Sequence, residues 1–204
     1  MFVSTVISFI KLFFALLLMP IVFYLTTGFF EEIRNLKTMA DYFIWGGGVY
    51  VLCHLFFRPM QALHGFGQKI FSDLLRASPF LATYMPMALP ITPTILLLIL
   101  YVIKTFGDPG PLTHYFLFAI GFSLSMHIII IAHLLYEEDN STLRTHYLFL
   151  VSLFYIFNVL IIVILLQLVF PEIQVGQLVR HIIVEVSDIY DKVTGFLFHA
   201  KPKI

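Results

Sequence analysis

Apolar residues occupy this chain in long unbroken blocks, separated by short polar punctuation. Blocks at 12–30, 42–57, 84–106, 114–136 and 147–170 approach or exceed the roughly 20 residues that a helix rising ~1.5 Å per residue needs to cross ~30 Å of hydrocarbon. The pattern predicts an all-α polytopic transmembrane bundle of about five spans. Proline and glycine mark where these helices bend, start and stop. Pro20 predicts a kink in the first block, and Pro86, Pro90 and Pro93 predict a regular helix in the third only from Thr94 onward. Gly46, Gly47 and Gly48 in the short second block predict close approach of a neighbouring backbone. Pro171 ends the fifth block, and GDPGP (107–111) and EEDNST (137–142) read as turns.

Two further stretches are amphipathic. In 60–83, Ile70, Phe71, Leu74 and Leu75 recur at helical spacing opposite Gln68, Lys69, Asp73 and Arg76, which predicts an interfacial or re-entrant helix. In the tail, Leu178, Ile182, Val186, Ile189, Val193 and Leu197 form one stripe, with Arg180, Glu185, Asp188 and Asp191 facing away. That predicts a helix lying on the membrane or on a partner. The chain therefore divides into a transmembrane helical domain, 1–174, and an amphipathic C-terminal helix and tail, 175–204.

Composition sharpens this picture. The chain is 60% hydrophobic and 12% charged, about half the charge of an ordinary soluble domain, so the lipid bilayer is part of its solvent. Net charge is zero, with no cluster of Lys or Arg, which excludes nucleic acid as a partner. The single cysteine, Cys53, excludes an internal disulfide. The N-terminal block lacks a basic leader and an A-x-A-like site and reads as a retained span. Arg34, Lys37, Lys104, Arg180, Lys192, Lys201 and Lys203 outnumber Arg58, Lys69, Arg76 and Arg144 across the five-span arrangement, which leans toward a cytoplasmic C-terminus.

Candidate chemistry rests on histidines and a few intramembrane polar residues. His127, His133, Asn158 and Gln167 fall inside predicted spans, where each needs a polar partner; Asn158 and Gln167 are expected to face other helices. His127 and His133 are six residues apart, a rotation of ~240° and a rise of ~9 Å, so a regular helix points them in different directions. His54 and His64 flank Pro59 and are ten residues apart, rotated by ~80° on a continuous helix. H-E-x-x-H does not occur in the sequence. The carboxylates, Glu31, Glu32, Glu137, Glu138 and Asp139 among them, lie outside the apolar cores and read as solvated span ends. Ser123 and Ser125 read as small packing residues.

Two stretches resemble a bacterial branch of the site-2-protease-like intramembrane metallopeptidases. In WGGGVYVLCHLFFRPMQALHGFGQKIFSDLL, 45–75, Arg58-Pro59 and Gly67 match a span that ends in an Arg-Pro turn and then a glycine leading into H-E-x-x-H. Gln68, Lys69, Ile70, Phe71 and Ser72 follow, so neither the ligand positions nor the base position carries the required side chain. In 119–171, Gly121, Phe122, His127, Asp139, Ser152 and Asn158 match the later half of that branch, with Asp139 in the place of the third metal ligand. The resemblance covers roughly half the chain. It implies a shared helical scaffold in a bacterial inner membrane with the metal motif lost, and Lys69 at or beside the base position opposes a bound Zn²⁺ by like-charge repulsion.

These readings converge on a non-catalytic integral membrane subunit or scaffold of a larger assembly, a pseudoenzyme that binds other membrane subunits and carries no cofactor. Two alternatives stand beside it. The first is an electron-transfer subunit holding haem b or quinone through His54, His64, His127 or His133. The second is an active intramembrane hydrolase whose zinc is held by His54, His64 and Asp139.

Overall fold

The computed structural model describes residues 2–56, 89–138 and 145–199. The predicted amphipathic stretch 60–83, Arg58, Pro59, His64, Gly67, Gln68, Lys69 and Asp139 lie outside the described residues. So do the first residues of the predicted third span and the tail lysines Lys201 and Lys203.

The chain is an all-α helical bundle, with no strand among the described residues. In order the helices are α1 (Phe2–Arg34), α2 (Thr38–Phe56), α3 (Ile91–Phe106), α4 (Leu112–Glu138), α5 (Thr145–Val169) and α6 (Val175–His199). Three contain stretches long and apolar enough to cross a membrane: Val6–Arg34 in α1, Leu112–Glu137 in α4 and His146–Val169 in α5. The apolar α3 has 16 residues, about 24 Å of helix. In α2, Asp41, the three glycines and His54 dilute the apolar sequence.

α1 starts at Phe2, so the predicted span 12–30 lies wholly inside it, and Pro20 falls within the helix. The structure corrects one expected helix start. The third helix begins at Ile91 rather than Thr94, with Pro90 as its N-cap. Pro93 is tolerated because it sits in the first turn, where a backbone N–H has no intrahelical acceptor to lose. α6 packs back on α1, as described below.

α4 is the central element. It packs along α2, α3 and α5, while α1 packs against α5 and α6. A continuous core joins Leu25, Phe29 and Ile33 of α1 to Leu97 and Leu100 of α3, Leu117, Ile120 and Leu124 of α4, and Val159, Ile162 and Leu166 of α5. The outer surfaces are equally apolar: Phe9, Phe23, Trp45, Leu55, Phe56 and Leu168 are all exposed. Soluble monomers rarely expose this much large apolar side chain, which accords with three helices long and apolar enough to cross a membrane.

The α2–α4 contact depends on glycine. A Cβ on Gly46 would overlap the Phe118 carbonyl, and a Cβ on Gly121 would overlap the Phe43 carbonyl. The two backbones thus meet reciprocally, each glycine receiving the other helix. Without a hydrophobic driving force in lipid, such close backbone approach is what holds membrane helices together. Tyr50, fully buried, continues the seam one turn further against Phe122, Met126 and Ile130.

Candidate functional site

α1 and α5 run side by side in the same direction. Lys11 Nζ meets His146 Nδ1 at 3.1 Å near their first ends, and Thr26 Oγ1 meets the Tyr155 hydroxyl at 2.7 Å further along. At their far ends, both helices supply acceptors to the start of α6. Glu32 Oε2 accepts the Gln174 N–H at 2.9 Å, and Gln167 Oε1 accepts the Val175 N–H at 3.1 Å. Gln174 is the residue whose carbonyl receives the first hydrogen bonds of α6, from Gln177 and Leu178. The side chains therefore satisfy donors at a helix start that has no partners of its own, and the Glu32 carboxylate sits at the positive end of the α6 dipole. Lys104 closes the same end of the bundle. Its Nζ donates to the Val169 carbonyl at 3.0 Å and lies 4.2 Å from the centre of the Phe170 ring.

From this junction α6 turns back along α1. Leu178 lies on Gly28, whose missing Cβ would come within 2.5 Å of Leu178 Cδ1. The His181 ring meets the Tyr24 ring at 6.1 Å, and the Tyr190 hydroxyl donates to the Leu17 carbonyl. From Gly28 to Leu17 is a helical rise of ~16 Å, and from Leu178 to Tyr190 is ~18 Å, so the two helices stay in step and run antiparallel. Leu178 and Val186 of the predicted stripe are buried, and Ile182 and Ile189 are partly buried, but Val193 is exposed. On the opposite face Arg180, Asp188, Asp191 and Lys192 are exposed; Lys192 and Asp188 pair at 2.5 Å. Because α6 folds back, Lys192 is carried away from the end of the bundle that holds Arg34 and Lys37.

The predicted intramembrane polar residues take different environments. His127 is buried at the middle of α4, whereas His133 is exposed and pairs with Glu137 at 3.2 Å. His54 is half-buried, with Nδ1 3.5 Å from the Tyr50 hydroxyl. Among the described residues, no three His, Cys, Asp or Glu side chains come together as a metal site, so the His133–Glu137 pair gains no third ligand from His54 or His127. Asn158 is 1% exposed, and its Nδ2 donates to its own helix at the Phe154 carbonyl, 2.7 Å away. Gln167 faces another helix, as expected from sequence, but the helix is α6 and not one of the long apolar spans. Its side chain is exposed and reaches along the bundle end to α6.

Glu32 is the residue that sequence reasoning misplaced. It is 8% exposed rather than solvated, and it also accepts a hydrogen bond from Asn35 Nδ2 at 3.2 Å. Nothing in the local sequence separates it from Glu31, which is exposed. Ser123 and Ser152 are buried and donate to carbonyls of their own helices, Ile120 and Leu148, as packing residues do.

No protein-family model, curated protein or solved structure matches the chain.

Proposed function

We propose that the chain is a non-catalytic subunit of a larger membrane assembly, and that the charged face of α6 is where it meets its partner. The position of that face supports this reading. α6 starts at the end of the bundle where α1 and α5 terminate and returns along α1 as far as Leu17. Leu17 is near the middle of the apolar stretch Val6–Arg34. Asp188 and Asp191, within two residues of Tyr190, are therefore level with the interior of a membrane span. A charged side chain there costs at least ~2.5–3.5 kcal/mol on insertion scales. Lys192 neutralises Asp188, which leaves Glu185 and Asp191 against Arg180. Lipid chains do not solvate such a face. A second transmembrane segment bearing Lys, Arg or hydroxyl side chains does.

On this reading the stretch around Gly67, Gln68 and Lys69 is the remnant of a metallopeptidase-like motif, kept for its scaffold and not for hydrolysis. We place the assembly in a bacterial inner membrane, with the end that carries Arg34, Lys37 and Lys104 on the cytoplasmic side; because α6 returns along α1, this reading replaces the cytoplasmic C-terminus expected from the count of basic residues.

Photo-crosslinking in intact membranes tests the docking face. A crosslinker at Asp191 is expected to give a discrete adduct with another membrane protein, and Asp191→Lys should prevent co-purification of that same protein in mild detergent. A crosslinker at the exposed, lipid-facing Phe23 should give no such adduct. Absence of an Asp191 adduct in membranes where the chain is intact would overturn the subunit reading. The non-catalytic part has its own test. One zinc per purified chain, lost in His54→Ala, would overturn it.

A further inference from the structure

A cavity of about 390 Å³ lies between α1, α2, α4 and α5, within the ~300–1,000 Å³ range of ligand pockets. It exists because of the glycine run. Gly46 draws α2 onto α4, and the next two residues, Gly47 and Gly48, then contribute only backbone to the wall. A Cβ on Gly48 would meet nothing within 4 Å. The remaining wall is almost wholly apolar, with Phe29, Phe43, Leu124 and Val159 in its floor and the Ser125 side chain among its few polar neighbours.

Its surroundings identify what fills it. Leu124, Ser125 and Ile128 lie at the middle of α4, and Tyr155 and Val159 at the middle of α5. The cavity therefore lies between the middles of α2, α4 and α5 and the last two turns of α1, within the apolar stretches of these helices. Its rim carries Phe30, Ile44 and Val51, which are 41%, 39% and 42% exposed and belong to the apolar outer surface of the bundle. The cavity opens sideways, between α1 and α2, onto that surface. A space this large and this apolar holds no stable water, since water needs two or more polar partners, and left unfilled it forfeits the dispersion contacts of its walls. We propose that it is a lateral binding site for one acyl chain of a bilayer phospholipid, which enters between α1 and α2 and lies along the Gly47–Gly48 backbone.

The test uses the full chain reconstituted in nanodiscs of phosphatidylcholine and phosphatidylglycerol, then released for native mass spectrometry. The wild type should keep one phospholipid per chain at collision energies that strip the loosely attached lipids. Gly48→Trp and Gly48→Leu, which fill the cavity from an unobstructed position, should each lower that occupancy at least tenfold. Gly107→Trp, in the α3–α4 turn where a Cβ also meets nothing, should keep it. Gly48→Leu decides the matter if the larger indole disturbs the bundle. Equal retention in the wild type and a helical Gly48 variant would overturn the proposal. So would a wild-type chain that keeps no lipid at all, whatever the variants do.

Discussion

Glu32 Oε2 and the Gln174 N–H, 142 residues apart in sequence, are 2.9 Å apart in the fold. This bond fastens the end of the first long helix to the start of the last one. A hydrogen bond to a buried charged acceptor contributes about 1.5–3 kcal/mol, and removing one partner leaves the other unsatisfied. Glu32→Ala is therefore expected to lower stability by about 2–3 kcal/mol, read as a fall in thermal midpoint in mild detergent. Glu32→Gln keeps an acceptor oxygen and should lose about half as much. Gln167→Ala, which removes an exposed cap from the neighbouring Val175 N–H, should cost no more than ~1 kcal/mol. An equal loss in Glu32→Ala and Gln167→Ala would show that burial of the carboxylate contributes nothing.

The reciprocal glycine contact gives a sharper contrast. Gly46→Ala and Gly121→Ala each drive a methyl group into a backbone carbonyl of the facing helix. Backbone cannot move aside as a flexible side chain does, so each substitution should cost about 3 kcal/mol, the upper part of the range for overpacking. Gly48→Ala, two residues further along α2 and facing open space, should be neutral or slightly stabilising, because alanine favours a helix over glycine by up to ~1 kcal/mol. Three alanine variants compared by thermal unfolding in one detergent settle this. A Gly48→Ala loss as large as that of Gly46→Ala would contradict the α2–α4 packing.

Some of this architecture is legible in the sequence, and the reasons are local. The glycine run announces close backbone approach because only glycine permits it. The α5 terminus is announced by Pro171, and the α3–α4 turn by GDPGP, where Gly110 has a positive φ of 48° and its N–H bonds Asp108 Oδ1 at 2.9 Å. What sequence does not carry is direction and pairing. The stripe through Leu178, Ile182 and Val186 shows that α6 needs a cover, but periodicity is the same whether that cover is lipid, a partner or α1. Glu31 and Glu32 are adjacent and chemically alike. Which of them is buried depends on where α6 begins, more than 140 residues later. The position of Lys104 beside Phe170 is hidden for the same reason.

Lys104 leads to a further prediction. Its ammonium donates to the last carbonyl of α5 and also lies over the Phe170 ring. A cation at a helix C-terminus is favoured by the dipole by about 0.3–1 kcal/mol, and a cation–π contact adds a similar amount. Lys104→Met retains the alkyl stem and removes both. It should lower stability by about 1–2 kcal/mol, and the loss should not be recovered in Phe170→Leu, which removes only the ring. In a double-mutant cycle, Lys104→Met with Phe170→Leu should fall short of additivity by roughly the cation–π contribution. Strict additivity would remove the ring from the interaction.

Asn158 provides the opposite kind of test, a polar residue whose removal should help the fold. Its Nδ2 is satisfied by the Phe154 carbonyl, but among the described residues its Oδ1 has no partner. Asn158 lines a space of only about 10 Å³ whose other walls are Ile128, Ile131, Val151, Phe154 and Tyr155. That is at the lower limit for one water, and these walls are too apolar to give a water the partners it needs. A buried acceptor left unsatisfied costs about 1–3 kcal/mol. Asn158→Leu, of similar shape, should therefore stabilise the isolated chain by about 1–2 kcal/mol. Asn158→Asp, which adds a charge to the same space, should destabilise it by more than that. If Asn158→Leu instead lowers the thermal midpoint, then Oδ1 is satisfied in the bilayer by a group beyond the described bundle, and a subunit partner at α5 becomes the next candidate to identify by crosslinking from this position.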